Sequence, residues 1–247
     1  MFVLLPCLNE SQNLPGLLSE LETTREALAG EYELCTIVVD DGSSDETAGI
    51  AREWQGKMQV ILLSHAFNRG LGCALNTGID CFLDLTSSAS ANRLAVMDAD
   101  NTHPPRLLCE MLALDADIVI ASRYAPGGEE HGLTLLRRLY SRTASLVMGA
   151  AAGIDGVRDY SCGFRVYSQA ILELGKRKFG SRLVSETGFV CMAELLVKLG
   201  RLGAVVQEVP LQLHYEVKGG ASKMNVPDTI RRYVVLVFNV LFNRSWR

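Results

Sequence analysis

Four short apolar runs, each followed by a polar cluster, constrain this chain more than any other feature of it. Phe2–Leu5 leads to Asn9-Glu10, Cys35–Val39 to Asp40-Asp41-Gly42, Val60–Leu63 to Asn68-Arg69, and Leu94–Met97 to Asp98-Ala99-Asp100. Ile118–Ala121 is a fifth run. Helical patterns fill the gaps: Leu14, Leu17, Leu18 and Leu21 share one face, a helix runs from Ser44-Asp45-Glu46 to Trp54, and another covers Gly70–Leu85. Pro104-Pro105 starts a further helix, since proline is accepted in a first turn. Apolar strands about thirty residues apart with helices between them predict right-handed βαβ units and a mostly parallel sheet. In such a sheet ligands bind beyond the carboxyl ends of the strands, where these clusters fall.

After Tyr124 the pattern changes. Ala125–Gly132 reads as a Pro/Gly/Glu loop, and Leu133–Ala152 as a long helix carrying Arg137, Arg138 and Arg142. Tyr160–Tyr167 and Val205–Leu213 read as strands, Thr187–Leu199 as a helix, and Lys218–Lys223 as a basic, Gly-rich loop. No repeat or long linker divides the 247 residues.

Composition narrows the class. Lys+Arg 24 against Asp+Glu 28 gives net −4, which argues against a nucleic-acid partner. Hydrophobic residues at 48% exclude a disordered chain. The seven cysteines stand singly, without the paired spacing of a disulfide framework or zinc site, and fit a reducing compartment. No secretion signal is read in Met-Phe-Val-Leu-Leu-Pro, and no apolar run reaches the ~20 residues of a spanning helix.

Asp98 and Asp100 are the sharpest motif. Two carboxylates two residues apart at a strand end can share Mg²⁺ or Mn²⁺, whose shell substrate phosphates commonly complete. In isolation the pair would read as solvated turn acids, but it sits between a buried-looking strand and a Pro-started helix. Asp40 and Asp41 end the second strand, where a carboxylate can accept from a base or ribose; a helix cap explains one acid of that cluster and not three. Gly70-Leu71-Gly72 lacks the third glycine of a dinucleotide loop, Leu75 standing in its place. Its glycines are expected to allow close backbone approach at a helix start.

Taken together, Pro6–Glu10, Val38–Asp45, Asn68–Gly72 and Met97–Asp100 with His103-Pro104-Pro105 resemble the inverting family 2 glycosyltransferases of GT-A fold. Ser122–Tyr124, Asp159–Arg165, Glu194, Glu208–Pro210 and Gly220–Lys223 are similar to the polyprenyl-phosphate branch, the dolichyl-phosphate-mannose-synthase-like enzymes. The resemblance implies an α/β Rossmann-like sandwich whose central sheet is flanked by helices. It implies one domain over 1–228, with a nucleotide-sugar-binding half (1–124) and an acceptor half (125–228), then an apolar and basic C-terminal helix over 229–247. Pro6, Asn9, Glu10, Asp40, Asp41, Asn68 and Gly70 would line the nucleotide pocket. Asp98 and Asp100 would hold the metal on the donor diphosphate. Arg123, Arg165 and Lys223 would handle phosphate charge, and Asp159 and Glu194 would lie near the reacting centre. Val217 departs from the family, which has Arg at that point; Lys218 is adjacent.

The implied reaction moves a sugar from a nucleotide-sugar donor to a polyprenyl phosphate. A hydroxyl acceptor, a non-catalytic nucleotide-sugar-binding protein and a nucleotidyltransferase are the competitors; the last would need a Gly-rich basic loop after the first strand, and Pro6–Glu10 has none. The expected setting is cytoplasmic, peripheral at the inner face of the membrane, with a homo-oligomer left open. Tyr233–Phe242 is apolar and flanked by Arg231, Arg232, Arg244, Trp246 and Arg247. It reads as a helix lying on a membrane or as one packed on the domain or a second subunit.

Overall fold

The computed structural model describes residues 1–86, 92–217 and 226–242, and the backbone alone at Leu136. The chain opens with β1 (Phe2–Cys7), α1 (Leu14–Ala27), β2 (Cys35–Asp40), α2 (Thr47–Trp54), β3 (Val60–Ser64), α3 (Leu71–Leu85) and β4 (Arg93–Val96). A 3₁₀ turn, Pro105–Leu107, leads into α4 (Leu108–Leu112), followed by β5 (Ile118–Ser122), β6 (Glu129–His131) and α5 (Leu135–Ala152). Then come β7 (Arg165–Ser168), α6 (Gln169–Phe179), α7 (Cys191–Gly200), β8 (Val206–Pro210), β9 (Gln212–His214) and α8 (Val226–Phe242).

Seven strands form one sheet in the order β3-β2-β1-β4-β7-β5-β8, and β6 pairs with β9 beside it. All neighbours in the large sheet run parallel except β7, which is antiparallel to β4 and β5. Leu4 stands opposite Ile37 and Val96, and Val96 opposite Arg165. All six residues of β2 are buried, the signature of a strand covered on both faces. Leu14, Leu17, Leu18 and Leu21 are the buried stripe of α1. The expected α/β sandwich with its mostly parallel sheet is the fold observed.

The second half differs from its reading in four places. The strand expected from Tyr160 starts at Arg165, because Asp159 draws the preceding residues into a turn by accepting the Ser161 and Cys162 N–H groups. The helix expected from Thr187 begins at Cys191. Helix α6 was not anticipated, although Ser168 caps it through the Ile171 N–H and Lys176, Arg177 and Lys178 crowd its last turn. Within the expected Pro/Gly/Glu loop Ala125–Gly132, β6 forms by pairing with β9. Lys218, Lys223, Arg244, Trp246 and Arg247 lie outside the described residues.

Candidate active site

A cavity of about 480 Å³ opens at the carboxyl edge of the parallel strands. One wall is made of strand ends: Pro6 near the end of β1 and Glu10 after it, Asp41 after β2, and Asp98 and Asp100 after β4. Asn68 and Gly70 close that side from the loop before α3. The antiparallel β7 brings the residues before its first strand position to the same edge, so Ser161, Cys162 and Gly163 join the wall.

Hydrogen bonds fix this wall. The Asp41 carboxylate accepts from the Arg69 and Gly70 N–H groups at 2.9 and 2.8 Å and lies 2.6 Å from His65 Nδ1. His65 Nε2 faces the Thr77 hydroxyl at 3.0 Å. Asp41 therefore braces the loop carrying Asn68 and Gly70. Asp40 is buried one step behind: its carboxylate accepts the Ser43 N–H at 3.1 Å, and it is not among the residues lining the cavity. Nor is Asn9, which sits at φ 51° and accepts the Ser44 N–H at 2.8 Å. Both set the shape of the pocket's turns.

At the end of β4, Asp100 is buried and its Oδ1 accepts from the Thr102 hydroxyl at 2.6 Å and the Thr102 N–H at 3.2 Å. The Asp98 side chain is 42% exposed and faces the cavity. His103 Nδ1 accepts the Asp98 N–H at 3.0 Å, so the proton of the neutral ring is on Nε2, 3.9 Å from Asp98 Oδ2. Phe164 stacks on that ring. A Cβ on Gly163 would come within 3.0 Å of Asp98 Oδ1, so glycine keeps the space over this carboxylate clear.

Two hard carboxylates facing open space fit Mg²⁺ or Mn²⁺. Among the described residues no three His, Cys, Asp or Glu side chains converge as a metal cage. A cation with a one- or two-carboxylate anchor, completed by water and phosphate, suits such a partial donor set.

Asp159 and Glu194, expected near the reacting centre, and Arg165, expected on phosphate charge, are not among the residues lining the cavity. Glu194 is 1% exposed in α7, where its carboxylate pairs with Lys198 at 2.6 Å and accepts the Ser185 and Glu186 N–H groups at 2.8 and 2.7 Å. Arg165 is fully buried and donates to the Tyr160 carbonyl at 2.9 Å and to the Met192 carbonyl. Asp159 is also fully buried and holds Arg123, taking Nε and Nη2 at 2.8 Å each. Burial would raise the Asp159 carboxyl, but the Arg123 guanidinium and the Ser161 and Cys162 N–H groups outweigh that and hold it at about 2. Arg123 does line the cavity, with Glu130 Oε1 3.3 Å from its guanidinium as a second carboxylate partner.

The opposite wall is helical. Arg137, Tyr140, Ser141 and Ala144 of α5 face the cavity, as do Thr229, Ile230 and Tyr233 of α8. Arg137 donates to the Tyr215 hydroxyl at 3.1 Å and lies over its ring. The sequence showed Arg137 only as one of three arginines on a helix. Its place facing the cavity follows from the helical phase, which becomes legible once the partner Tyr215 is known. His103 stood inside a quoted motif without a role.

The family model for glycosyl transferase family 2 matches residues 2–175. The chain belongs to that family. This family 2 glycosyltransferase is 32% identical to a dolichol-phosphate mannosyltransferase from Pyrococcus furiosus, over 97% of this chain and 63% of that protein. It is equally 32% identical to a polyprenol monophosphomannose synthase from Mycolicibacterium smegmatis, over 90% of this chain and 80% of the relative. The chain thus spans less than two thirds of the Pyrococcus protein. Among solved structures it is similar to glucosyl-3-phosphoglycerate synthase from Mycobacterium tuberculosis with Mn²⁺ and uridine-diphosphate-glucose. That likeness has a TM-score of 0.61 and 19% identity, and covers 99% of this chain and 78% of the other. A Pyrobaculum calidifontis mannosyltransferase, solved with GDP-Man and Mn²⁺, gives a TM-score of 0.59 at 18% identity over 96% of this chain and 62% of the other. These likenesses carry the fold, the GT-A type expected from the motifs.

Proposed function

We propose that this family 2 glycosyltransferase transfers a hexosyl group, with inversion, from a nucleoside-diphosphate sugar to a polyprenyl phosphate. The observation that carries the reading is the cavity itself: it joins the Asp98–Asp100 carboxylates to a helical wall bearing Arg137 and the apolar faces of Tyr140, Ala144, Ile230 and Tyr233. The names of the curated relatives support the same acceptor class.

On this reading Pro6, Glu10, Asn68 and Gly70 seat the nucleotide, and Asp98 and Asp100 hold Mg²⁺ or Mn²⁺ on its diphosphate. The ion supplies neutralisation of the leaving charge. Arg137 holds the acceptor phosphate, with Tyr215 fixing the guanidinium, and the apolar residues beyond it receive the first carbons of the chain. A hydroxyl acceptor would need a general base. Asp159 is committed to Arg123 and held at about 2, and Glu194 is committed to Lys198, so neither serves. A phosphate acceptor arrives already ionised and needs none.

The surface agrees. Leu135, Leu139 and Leu146 of α5 and Val234, Phe238 and Phe242 of α8 are exposed apolar side chains on two helices packed together. Among the described residues no helix is long and apolar enough to cross a membrane. The reading gives these helices an interfacial role beside a lipid acceptor.

The test uses radiolabelled GDP-mannose with a short-chain polyprenyl phosphate, the matching alcohol, and Mn²⁺ or EDTA. Transfer to the phosphate alone, abolished by EDTA, is expected. Arg137→Ala should raise the acceptor KM about tenfold, since a charged hydrogen bond contributes about 1.5–3 kcal/mol. Transfer to the alcohol at equal rate overturns the acceptor assignment.

A further inference from the structure

Between the two walls runs a short segment, Glu186–Phe189, that touches both. Thr187, Gly188 and Phe189 line the cavity. On one side this segment is pressed against the start of α3. The Gly72 N–H donates to the Thr187 carbonyl at 3.1 Å, and a Cβ on Gly72 would lie 1.8 Å from the Glu186 carbonyl oxygen. No side chain fits there, so the glycine lets the segment rest directly on the start of α3, next to the loop that Asp41 braces. On the other side the segment meets α8. Arg232 Nη1 reaches Glu186 Oε2 at 2.9 Å and the Thr187 hydroxyl at 3.3 Å, while its Nε is 2.6 Å from Asp228 Oδ2. The pair is half-buried, with the Arg232 side chain 29% and the Glu186 side chain 20% exposed.

We propose that Arg232 is a positioning residue that fastens the helical wall to Glu186–Phe189, and so fixes the width of the cavity where the acceptor lies. The geometry suits arginine: one planar fork meets acceptors on its own helix and on the facing segment, which a lysine point charge cannot do. Two observations point the same way. The same turn of α8 presents Thr229, Ile230 and Tyr233 to the cavity, so a helix released at Arg232 moves those walls. The far side of the segment is anchored independently, through the Ser185 and Glu186 N–H groups on Glu194 and through Asn76, which donates to the Val184 carbonyl at 2.7 Å. Loss of Arg232 therefore frees the acceptor side and leaves the nucleotide side in place.

This inference rests on the acceptor reading above, so its test carries a readout that does not need transfer. Hydrogen–deuterium exchange and a steady-state assay with GDP-mannose and a short-chain polyprenyl phosphate in detergent are run on Arg232→Gln, Glu186→Gln, the double variant, and Arg232→Lys. Arg231→Gln is the control, because among the described residues Arg231 pairs with Asp228 alone, at the exposed side of the helix. Arg232→Gln should raise the acceptor KM five- to tenfold with kcat within twofold, leave the GDP dissociation constant within twofold, and speed exchange in peptides spanning 186–190 and 226–233. Glu186→Gln should give a smaller change of the same kind, since Arg232 keeps its Thr187 and Asp228 contacts, and the double variant should lose no more than Arg232→Gln alone, because the Glu186 side chain acts through Arg232. Arg232→Lys should recover only part of the loss. Unchanged exchange in those peptides overturns the proposal, and so do additive losses in the double variant or an equal fall in GDP affinity. If the wild type transfers nothing to the phosphate, the acceptor reading fails, and the exchange data still decide the positioning role.

Discussion

The strand-end wall and the helical wall of the cavity differ in how their side chains are held. Asp41 has its carboxylate saturated by two backbone N–H groups and a histidine, and Asp100 has Thr102 on one oxygen. These are short-range bonds at the ends of strands whose register is set by the sheet. Arg137 and Tyr233 instead stand on α5 and α8, helices that leave much of their apolar surface outside the core; Leu135 is 83% exposed and Phe238 62%. Chemistry that must hold charge within a fraction of an ångström is built on the sheet. On the proposed reading, recognition of a long apolar acceptor falls to helices with an open face. The difference teaches that the hydrogen-bonded carboxylates gather on the strand ends, while the exposed apolar side chains gather on the helical side of the cavity.

The sharpest way to break that comparison is at Asp100. Asp100→Asn should lower transfer about a thousandfold, an effect of about 4 kcal/mol on the barrier. The melting temperature should shift little, and added Mn²⁺ should not rescue the rate. A variant with near-normal turnover would show that the strand-end wall does not carry the charge.

Next in size is Glu194→Gln. It leaves Lys198 charged and nearly fully buried, so the fold should lose about 3 kcal/mol in urea denaturation while turnover per folded molecule stays within threefold. A collapse of turnover with intact stability would return Glu194 to the reacting centre.

Asp159 gives a smaller, pH-dependent effect. Its carboxyl is held at about 2 against an unfolded value near ~3.9, so its contribution is present above the unfolded value and is lost as pH falls toward 2. That amounts to about 2–3 kcal/mol. In Asp159→Asn the fall of stability between about pH 5 and pH 2 should be shallower than in the wild type, as followed by chemical denaturation at each pH.

The smallest effect belongs to the helical face. Leu139→Glu and Phe238→Glu should each weaken binding to vesicles containing anionic lipid about tenfold, as expected for one large apolar side chain. Neither should change the GDP dissociation constant. Vesicle binding that ignores both substitutions would assign this face to another contact.

The acidic part of the strand-end wall was legible in the sequence because Glu10, Asp41, Asp98 and Asp100 each follow an apolar run of strand length. The positions of Asp98, Asp100, Glu10 and Asp41 on one edge follow from parallel topology alone. The helical wall was not legible. Arg137 and Tyr215 come from elements far apart in the chain, and nothing local distinguishes Arg137 from Arg138. Asp159 and Glu194 were misplaced for a related reason: an acid in a matched motif looks alike whether it faces a substrate or a buried cation, and only the Arg123 and Lys198 contacts decide. Helix α6 carried a cap and a basic last turn and could have been read; β6 could not, since a three-residue strand exists only through its pairing with β9.

The antiparallel β7 has a kinetic consequence. It lies between β4 and β5, so Ala95 and Val119 both face Val166, a residue far downstream of each. A ribosome that has released the chain only as far as Tyr124 has supplied β5 without the strand that joins it to β1–β4. The central sheet cannot close until β7 emerges, and the early half waits with an open edge. Pairings so distant in sequence slow folding and lengthen the time for which a sheet edge is exposed to other chains. A fragment ending at Tyr124 is therefore expected to aggregate rather than bind nucleotide.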